Sequence, residues 1–168
     1  MVRKMNQGSI LLVEDNADDV ELALMAFNRN NIANEVVVAW DGAEALDYLY
    51  GQGNYAGRDI HQMPSLILLD LNLPKLNGLE VLRRVRSDQR TQYVPIVILT
   101  TSIAEQDVEK GYRYGANSYL AKPMGFESFS EVVRQLGRYW LGLNIAALVP
   151  GASSGRTGNG KTFTSLDC

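Results

Sequence analysis

Five polar side chains follow four short segments that the sequence pattern predicts to be β-strands. They are Glu14, Asp15, Asp70, Thr100 and Lys122. Three carboxylates held close together repel one another, so some of them are protonated unless a divalent cation binds between them. An all-oxygen site with no histidine or cysteine nearby suits Mg²⁺ or Mn²⁺. Such an ion, together with a lysine and a hydroxyl group, would form a pocket for a phosphoryl group carried on one of the carboxylates.

The segments that must position these side chains alternate between strand and helix patterns. Ile10–Val13 is a continuous apolar run, as in a strand that is buried on both faces of a parallel sheet. Val20, Ala23, Leu24 and Phe27 are spaced as on one face of a helix. The predicted strands are Ile10–Val13, Glu35–Ala39, Leu66–Leu69, Ile96–Leu99 and Ser118–Ala121. The predicted helices are Ala17–Asn30, Gly42–Tyr50, Gly78–Arg86, Ala104–Tyr114 and Phe126–Trp140.

This alternation predicts an α/β fold, in which a doubly wound five-stranded parallel sheet is covered by helices on both faces. Ligands of such sheets bind beyond the carboxyl ends of the strands, where all five polar side chains are expected to lie. One such residue could simply end a strand and meet water, but five on successive strand ends are poorly explained in that way. Residues 8–141 are the predicted folded domain, 142–150 an apolar extension, and 151–168 a flexible tail rich in Gly and Ser.

Composition excludes several classes of protein. The formal net charge is −3 and the isoelectric point about 5.2, so nucleic acid is not an expected partner. A single cysteine, Cys168, excludes a disulfide framework and a thiolate zinc site, and it suits a cytoplasmic location. No apolar stretch approaches the roughly 20 residues that a membrane-spanning helix needs, so no membrane association is expected.

Four sequence blocks together resemble the CheY-like receiver domains of two-component response regulators. They are ILLVEDN, LILLDLNLPKLNG, PIVILTTS and YLAKP, and the resemblance runs from about Ile10 to Tyr139. It implies a flavodoxin-like (βα)5 fold with strand order 2-1-3-4-5. It also implies a phosphoacceptor signalling protein rather than an enzyme, one that takes a phosphoryl group from a sensor histidine kinase and loses it again by hydrolysis.

The resemblance assigns a role to each residue of the acidic cluster. Asp70 matches the phosphoacceptor, and Glu14 and Asp15 match the acidic pair that holds Mg²⁺ or Mn²⁺. Asn72, two residues after the acceptor, is expected to offer its backbone carbonyl to the metal. Glu14 departs from the family pattern, in which aspartate is commoner at this position. The longer carboxylate can still reach a metal ion.

Further roles concern the switch that follows phosphorylation. Thr100 and Lys122 match the two residues that contact phosphoryl oxygens, and Tyr119 matches the aromatic switch position. The peptide bond between Lys122 and Pro123 is expected to be cis, a conformation that is inexpensive only before proline.

Two features outside the site resemble one narrower group, the stand-alone regulators that are paired with cyanobacterial and bacterial phytochrome kinases. They are the long loop Gly51–Pro64 and the aromatic end of the last helix. A phytochrome-type kinase is therefore the expected partner. An apolar segment begins with Trp140, Leu141 and Leu143. It either packs back onto the same subunit or forms an interface with a partner or a second copy, and in the second case a homodimer is expected.

Two other functions fit parts of the pattern. Phosphohydrolases of the haloacid dehalogenase type also carry a phosphoryl group on an aspartate, but they need a second aspartate two residues later as general acid and base. Asn72 occupies that position here. The other alternative is a pseudo-receiver, which binds partners without ever being phosphorylated.

Overall fold

The computed structural model describes residues 7–147, and the predicted tail 151–168 and the end of the extension lie outside them. The five strands are β1 (Ile10–Val13), β2 (Val36–Ala39), β3 (Leu66–Leu69), β4 (Ile96–Thr100) and β5 (Ser118–Ala121). The helices are α1 (Ala17–Arg29), α2 (Gly42–Tyr50), α3 (Gly78–Ser87), α4 (Glu105–Arg113) and α5 (Phe126–Leu136). A short 3₁₀ helix, Gly53–Tyr55, lies in the long loop, and a π-helical turn, Gly137–Leu143, continues α5.

All strand pairs are parallel, and the strand order is β2-β1-β3-β4-β5, which confirms the predicted topology. Alternate residues of the central strands enter two separate cores. Leu11, Ile67 and Ile98 pack on the face covered by α2 and α3, whereas Leu12 and Leu68 pack on the face covered by α1 and α5. Both faces of the central strands are buried, which explains why these strands are continuous apolar runs.

Three helices begin at a side-chain cap. Each cap lies in the segment that connects the carboxyl end of a strand to the following helix. Asn16, Asp41 and Asn77 each accept a hydrogen bond from the backbone N–H three residues further on, at 2.8 to 3.0 Å. Such caps satisfy helix N–H groups that have no partner within the helix. They fix where α1, α2 and α3 start relative to the strand ends.

The last helix differs from its prediction. It was expected to be a single helix to Trp140, but its α-helical part ends at Leu136 and a π-helical turn follows. Leu141 is only 2% exposed and packs in the core between α1 and α5, with Trp140 partly buried against the same core. Leu141 follows the buried Leu136 by five residues, the spacing that π-helical hydrogen bonds bring to one side. Its assignment to a partner face is therefore wrong, whereas Leu143 is exposed.

The expected cis bond before Pro123 is also wrong. None of the peptide bonds in the described part of the chain is cis. The trans isomer is favoured before proline by about 0.5–1 kcal/mol, and with it Lys122 still reaches the acidic residues described below. Across residues 7–147, no helix has the length and apolar character required to cross a membrane.

Gly78 allows α3 to start in contact with the end of β3. A β-carbon at this position would lie 2.2 Å from the backbone oxygen of Asp70 and 2.8 Å from the Cα of Leu71. We expect Gly78→Ala to lower the free energy of unfolding by about 1–3 kcal/mol, because backbone atoms must move to accept the methyl group. Urea denaturation measures the change. The matched control is Gly142→Ala, whose methyl group would meet nothing within 4 Å; an equal loss there would contradict the explanation.

Candidate functional site

The predicted site residues come together at the carboxyl edge of the sheet. Glu14, Asp15 and Asp70 each offer a carboxylate oxygen, and these three oxygens lie within 4.8 Å of one another. The Nζ atom of Lys122 lies 2.5 Å from Glu14 Oε2 and 3.0 Å from Asp70 Oδ2. Residues separated by more than 100 positions therefore share one small volume, as the strand-end argument predicts.

Strand register explains this convergence. Val13 of β1 pairs with Leu69 of β3, so the residues that follow them leave the sheet side by side. The backbone N–H of Asp70 donates to the Val13 carbonyl at 3.1 Å, which holds Asp70 at the strand end. On the other side, the N–H of Lys122 donates to the Thr100 carbonyl at 2.8 Å. Continued sheet hydrogen bonding thus places both the aspartate and the lysine.

Glu14 is buried and lacks the solvent that would stabilise its charge. Burial raises the pKa of Glu14 to about 6, although hydrogen bonds from Lys122 and from the Asn16 N–H act in the opposite direction. A raised folded-state pKa means that the stabilising contribution of protonated Glu14 is complete below pH 4.5 and is lost as the pH rises through about 6. At neutral pH the carboxylate is ionised, and the fold needs a cation beside it.

Lys122 supplies that cation. Its side chain is only 10% exposed, and burial by itself would lower its pKa. Hydrogen bonds to Glu14, Asp19 and Asp70 outweigh the burial and raise the pKa of Lys122, so the ammonium form is firmly retained. The lysine neutralises part of a strongly acidic pocket.

Asp19 is a member of the site that sequence reasoning missed. Its Oδ2 atom lies 2.9 Å from Lys122 Nζ. The only signal in the sequence is its position in the first turn of α1, where acidic residues are common because they favour the positive helix terminus. Asp18 carries the same signal, so the sequence could not distinguish the residue that contacts the lysine.

The acidic residues fit a divalent cation. Oxygens on opposite sides of Mg²⁺ lie about 4.2 Å apart, and the three carboxylate oxygens already lie within 4.8 Å. Asp15 is exposed and Asp70 is 6% exposed, so the cluster opens to solvent on one side. The N–H of Asn72 donates to Asp70 Oδ1 at 3.3 Å, and the role of the Asn72 carbonyl as a metal ligand stays a prediction.

The predicted switch residues lie next to the cluster. Thr100 is fully buried at the end of β4, and its Oγ1 lies 3.5 Å from the N–H of Ser102. The Tyr119 hydroxyl donates to the Ser102 carbonyl at 2.8 Å, and burial raises the pKa of this tyrosine. Thr100 and Tyr119 thus contact the same residue of the loop after β4. Their movement on phosphorylation stays a prediction.

Known sequences share this pattern over most of the chain. The family model described as the response regulator receiver domain matches residues 10–134. The probable methanogenesis regulatory protein FilR2 of Methanothrix harundinacea is 41% identical over 136 residues, which cover 80% of this chain and 84% of that protein.

Two solved structures are similar in fold as well as in sequence. The Mn²⁺-bound form of response regulator Rcp1, a protein of Synechocystis, has a TM-score of 0.76 and 35% identity, and the alignment covers 83% of this chain and 99% of Rcp1. The phosphorylated cyanobacterial phytochrome response regulator RcpA has a TM-score of 0.77 and 38% identity, with 83% and 98% coverage.

Proposed function

The chain belongs to the response regulator receiver domain family, and from this premise we propose that it accepts a phosphoryl group on Asp70 from a histidine kinase. The observation that carries the proposal is the contact of Lys122 Nζ with Asp70 Oδ2 at 3.0 Å, inside a cluster of three carboxylates. In this proposal the chain is a phosphoacceptor and acts on no further substrate.

The transfer requires positioning and charge neutralisation more than covalent chemistry by the protein. An Asp70 carboxylate oxygen attacks phosphorus, the bond from phosphorus to the kinase histidine breaks, and the imidazole leaves. Lys122 lies where it can contact an oxygen of the transferred group. Glu14, Asp15 and Asp70 would hold Mg²⁺ or Mn²⁺, which supplies positive charge that offsets repulsion between the carboxylates and the phosphoryl group.

Phosphorylation is proposed to change partner binding through Thr100 and Tyr119. The phosphoryl group offers an acceptor to the Thr100 hydroxyl, which must move towards it. Ser102 connects the two residues, because its N–H faces Thr100 and its carbonyl accepts from Tyr119. Moving this loop would release the tyrosine and alter the surface near α4 and β5. Such a local charge event biases a two-state element.

A phytochrome-type kinase is the proposed phosphodonor. RcpA is a phytochrome response regulator by name, and 83% of this chain superimposes on it. The long loop between α2 and β3, which contains a 3₁₀ helix, and the aromatic end of the last helix are the features of this chain that support this group. Phosphotransfer profiling with purified kinases would contradict the proposal if another kinase class transferred much faster.

Asp70→Asn should abolish phosphorylation, because an amide oxygen is a poor nucleophile and forms no stable acyl phosphate. We expect acetyl phosphate with Mg²⁺ to add the mass of one phosphoryl group to the unmodified chain and none to the variant. Intact-mass spectrometry measures both. The control is Asp59→Asn, in the loop that enters β3 at the opposite edge of the sheet, and it should retain the gain.

Two outcomes would contradict the phosphoacceptor proposal. A phosphoryl gain that persists in Asp70→Asn would place the modification elsewhere. No gain in the unmodified chain, from acetyl phosphate or from phosphorylated kinase, would favour the alternative of a pseudo-receiver that binds partners independently of phosphorylation.

Homodimer formation through the end of the chain is a further part of the proposal. Tyr139, before the buried Leu141, and Leu143 and Ile145, after it, are exposed. Exposed apolar groups that lie close together favour an interface. Sedimentation with and without the phosphoryl mimic beryllofluoride tests this point. A monomer at all concentrations in both states would refute it.

A further inference from the structure

Lys122 has three carboxylate partners, and one of them, Asp19, belongs to no predicted part of the site. Its Oδ2 atom lies 2.9 Å from Lys122 Nζ, compared with 2.5 Å for Glu14 and 3.0 Å for Asp70. An ammonium group carries three hydrogens, so these three carboxylates use all of its donors. The lysine is fully occupied before a metal ion or a phosphoryl group arrives.

Asp19 differs from the other two partners in its surroundings. Glu14 and Asp70 belong to the carboxylate group that could hold a divalent ion, whereas Asp19 is outside that group. Its side chain is 39% exposed, and its backbone N–H donates to the Asn16 cap at 3.0 Å. The carboxylate therefore projects from the fixed first turn of α1 and meets the lysine from outside the metal cluster.

Lys122 and a bound divalent cation would compete for the same two carboxylates. A cation among Glu14, Asp15 and Asp70 lies close to the ammonium, and two positive charges at short range repel strongly in a poorly solvated site. The lysine must then give up part of its contact with Glu14 and Asp70. Asp19 is the partner that the cation does not share.

We propose that Asp19 is a positioning residue, which retains the Lys122 ammonium on the α1 side of the site while a divalent cation occupies the carboxylate cluster. The inference rests on the metal-binding part of the proposed function. Asp19 thereby favours cation binding, because it offers the displaced lysine a partner. It also keeps the lysine within reach of a phosphoryl group on Asp70.

Mn²⁺ binding to the full chain tests the inference without any phosphorylation. Electron paramagnetic resonance of the free ion gives the dissociation constant. We expect Asp19→Asn to weaken Mn²⁺ binding at least about fivefold, a typical coupling between two sites. Asp18→Asn is the matched control, because it removes the same charge from the same helical turn. Asp18 is exposed, so screening should limit its effect to about twofold at physiological ionic strength.

A double-mutant cycle separates positioning from direct attraction between Asp19 and the ion. In a Lys122→Met background no ammonium has to be held, so Asp19→Asn should no longer weaken Mn²⁺ binding. A persistent loss in that background would overturn the inference, as would equal losses in Asp18→Asn and Asp19→Asn. If Lys122→Met does not fold, the comparison of Mn²⁺ binding by Asp18→Asn and Asp19→Asn tests the inference by itself. Absence of Mn²⁺ binding by the unmodified chain would instead refute the metal site of the proposed function.

Discussion

Lys122→Met is expected to lower the free energy of unfolding by about 3–5 kcal/mol at neutral pH in the absence of divalent ions. The substitution leaves Glu14 and Asp70, both almost fully buried, without the cation that contacts them at 2.5 and 3.0 Å. Removing one partner of a buried ion pair is expensive because the remaining charge has neither solvent nor a counterion. Urea denaturation in the presence of a chelator measures the loss.

The loss should depend on pH and on Mg²⁺. Burial raises the pKa of Glu14 to about 6 even with Lys122 beside it, and loss of the lysine removes a contact that lowers this pKa. Glu14 of the variant should therefore take up a proton at a higher pH, which removes one of the unpaired charges and restores stability as the pH falls. Mg²⁺ should restore stability at neutral pH by replacing the missing positive charge. Lys75→Met is the control, since Lys75 pairs with Asp41 but is largely exposed. Equal losses in the two variants, or no recovery in acid, would contradict the explanation.

Arg86 is the second residue for which a large effect is expected, and it lies outside the site. The guanidinium leaves the end of α3 and donates to the carbonyls of Gly115, Gln92 and Val94 at 2.7 to 3.0 Å. A further bond at 2.8 Å reaches Oδ1 of Asn117, which also accepts from the N–H of Ile96. Burial lowers the pKa of this arginine. The side chain joins α3 to the segments that enter β4 and β5.

We expect Arg86→Met to lower the free energy of unfolding by about 3–5 kcal/mol, because several charge-assisted hydrogen bonds are lost together and their acceptors stay partly buried. Measured urea curves should show the loss at both low and high salt, since three of the four bonds are partly buried. Arg84→Met is the control on the same helix. Arg84 is exposed and pairs with Glu80 four residues away, so its loss should stay below about 1 kcal/mol. A similar loss in both variants would mean that the bonds of Arg86 contribute little.

Much of the fold and of the site was predictable from local patterns. Apolar runs such as Leu66–Leu69 indicate strands that are buried on both faces, and the first polar residue after each run marks its carboxyl end. Parallel strands bring those ends to one edge of the sheet. Glu14, Asp15, Asp70 and Lys122 could therefore be placed together without coordinates, and the structure confirms that they are neighbours.

The end of the last helix could not be predicted in the same way. Leu141 and Leu143 are both apolar and close in sequence, but one is in the core and the other is exposed. Which one is buried depends on the change from α-helical to π-helical hydrogen bonding after Leu136. The apolar periodicity of the sequence does not encode that change.

What the sequence determined by itself is the set of strands and the identity of the charged groups at their ends. Strand burial follows from composition over a few residues, and the parallel direction follows from the alternation of strands with helices. The tertiary structure alone decided that Asp19 rather than Asp18 contacts the lysine, and that Arg86 rather than Arg84 is partly buried. Like residues one or two positions apart in a helix differ in the direction in which their side chains point. The direction that faces a partner is set by how the whole helix packs on the sheet, through contacts between residues distant in the chain.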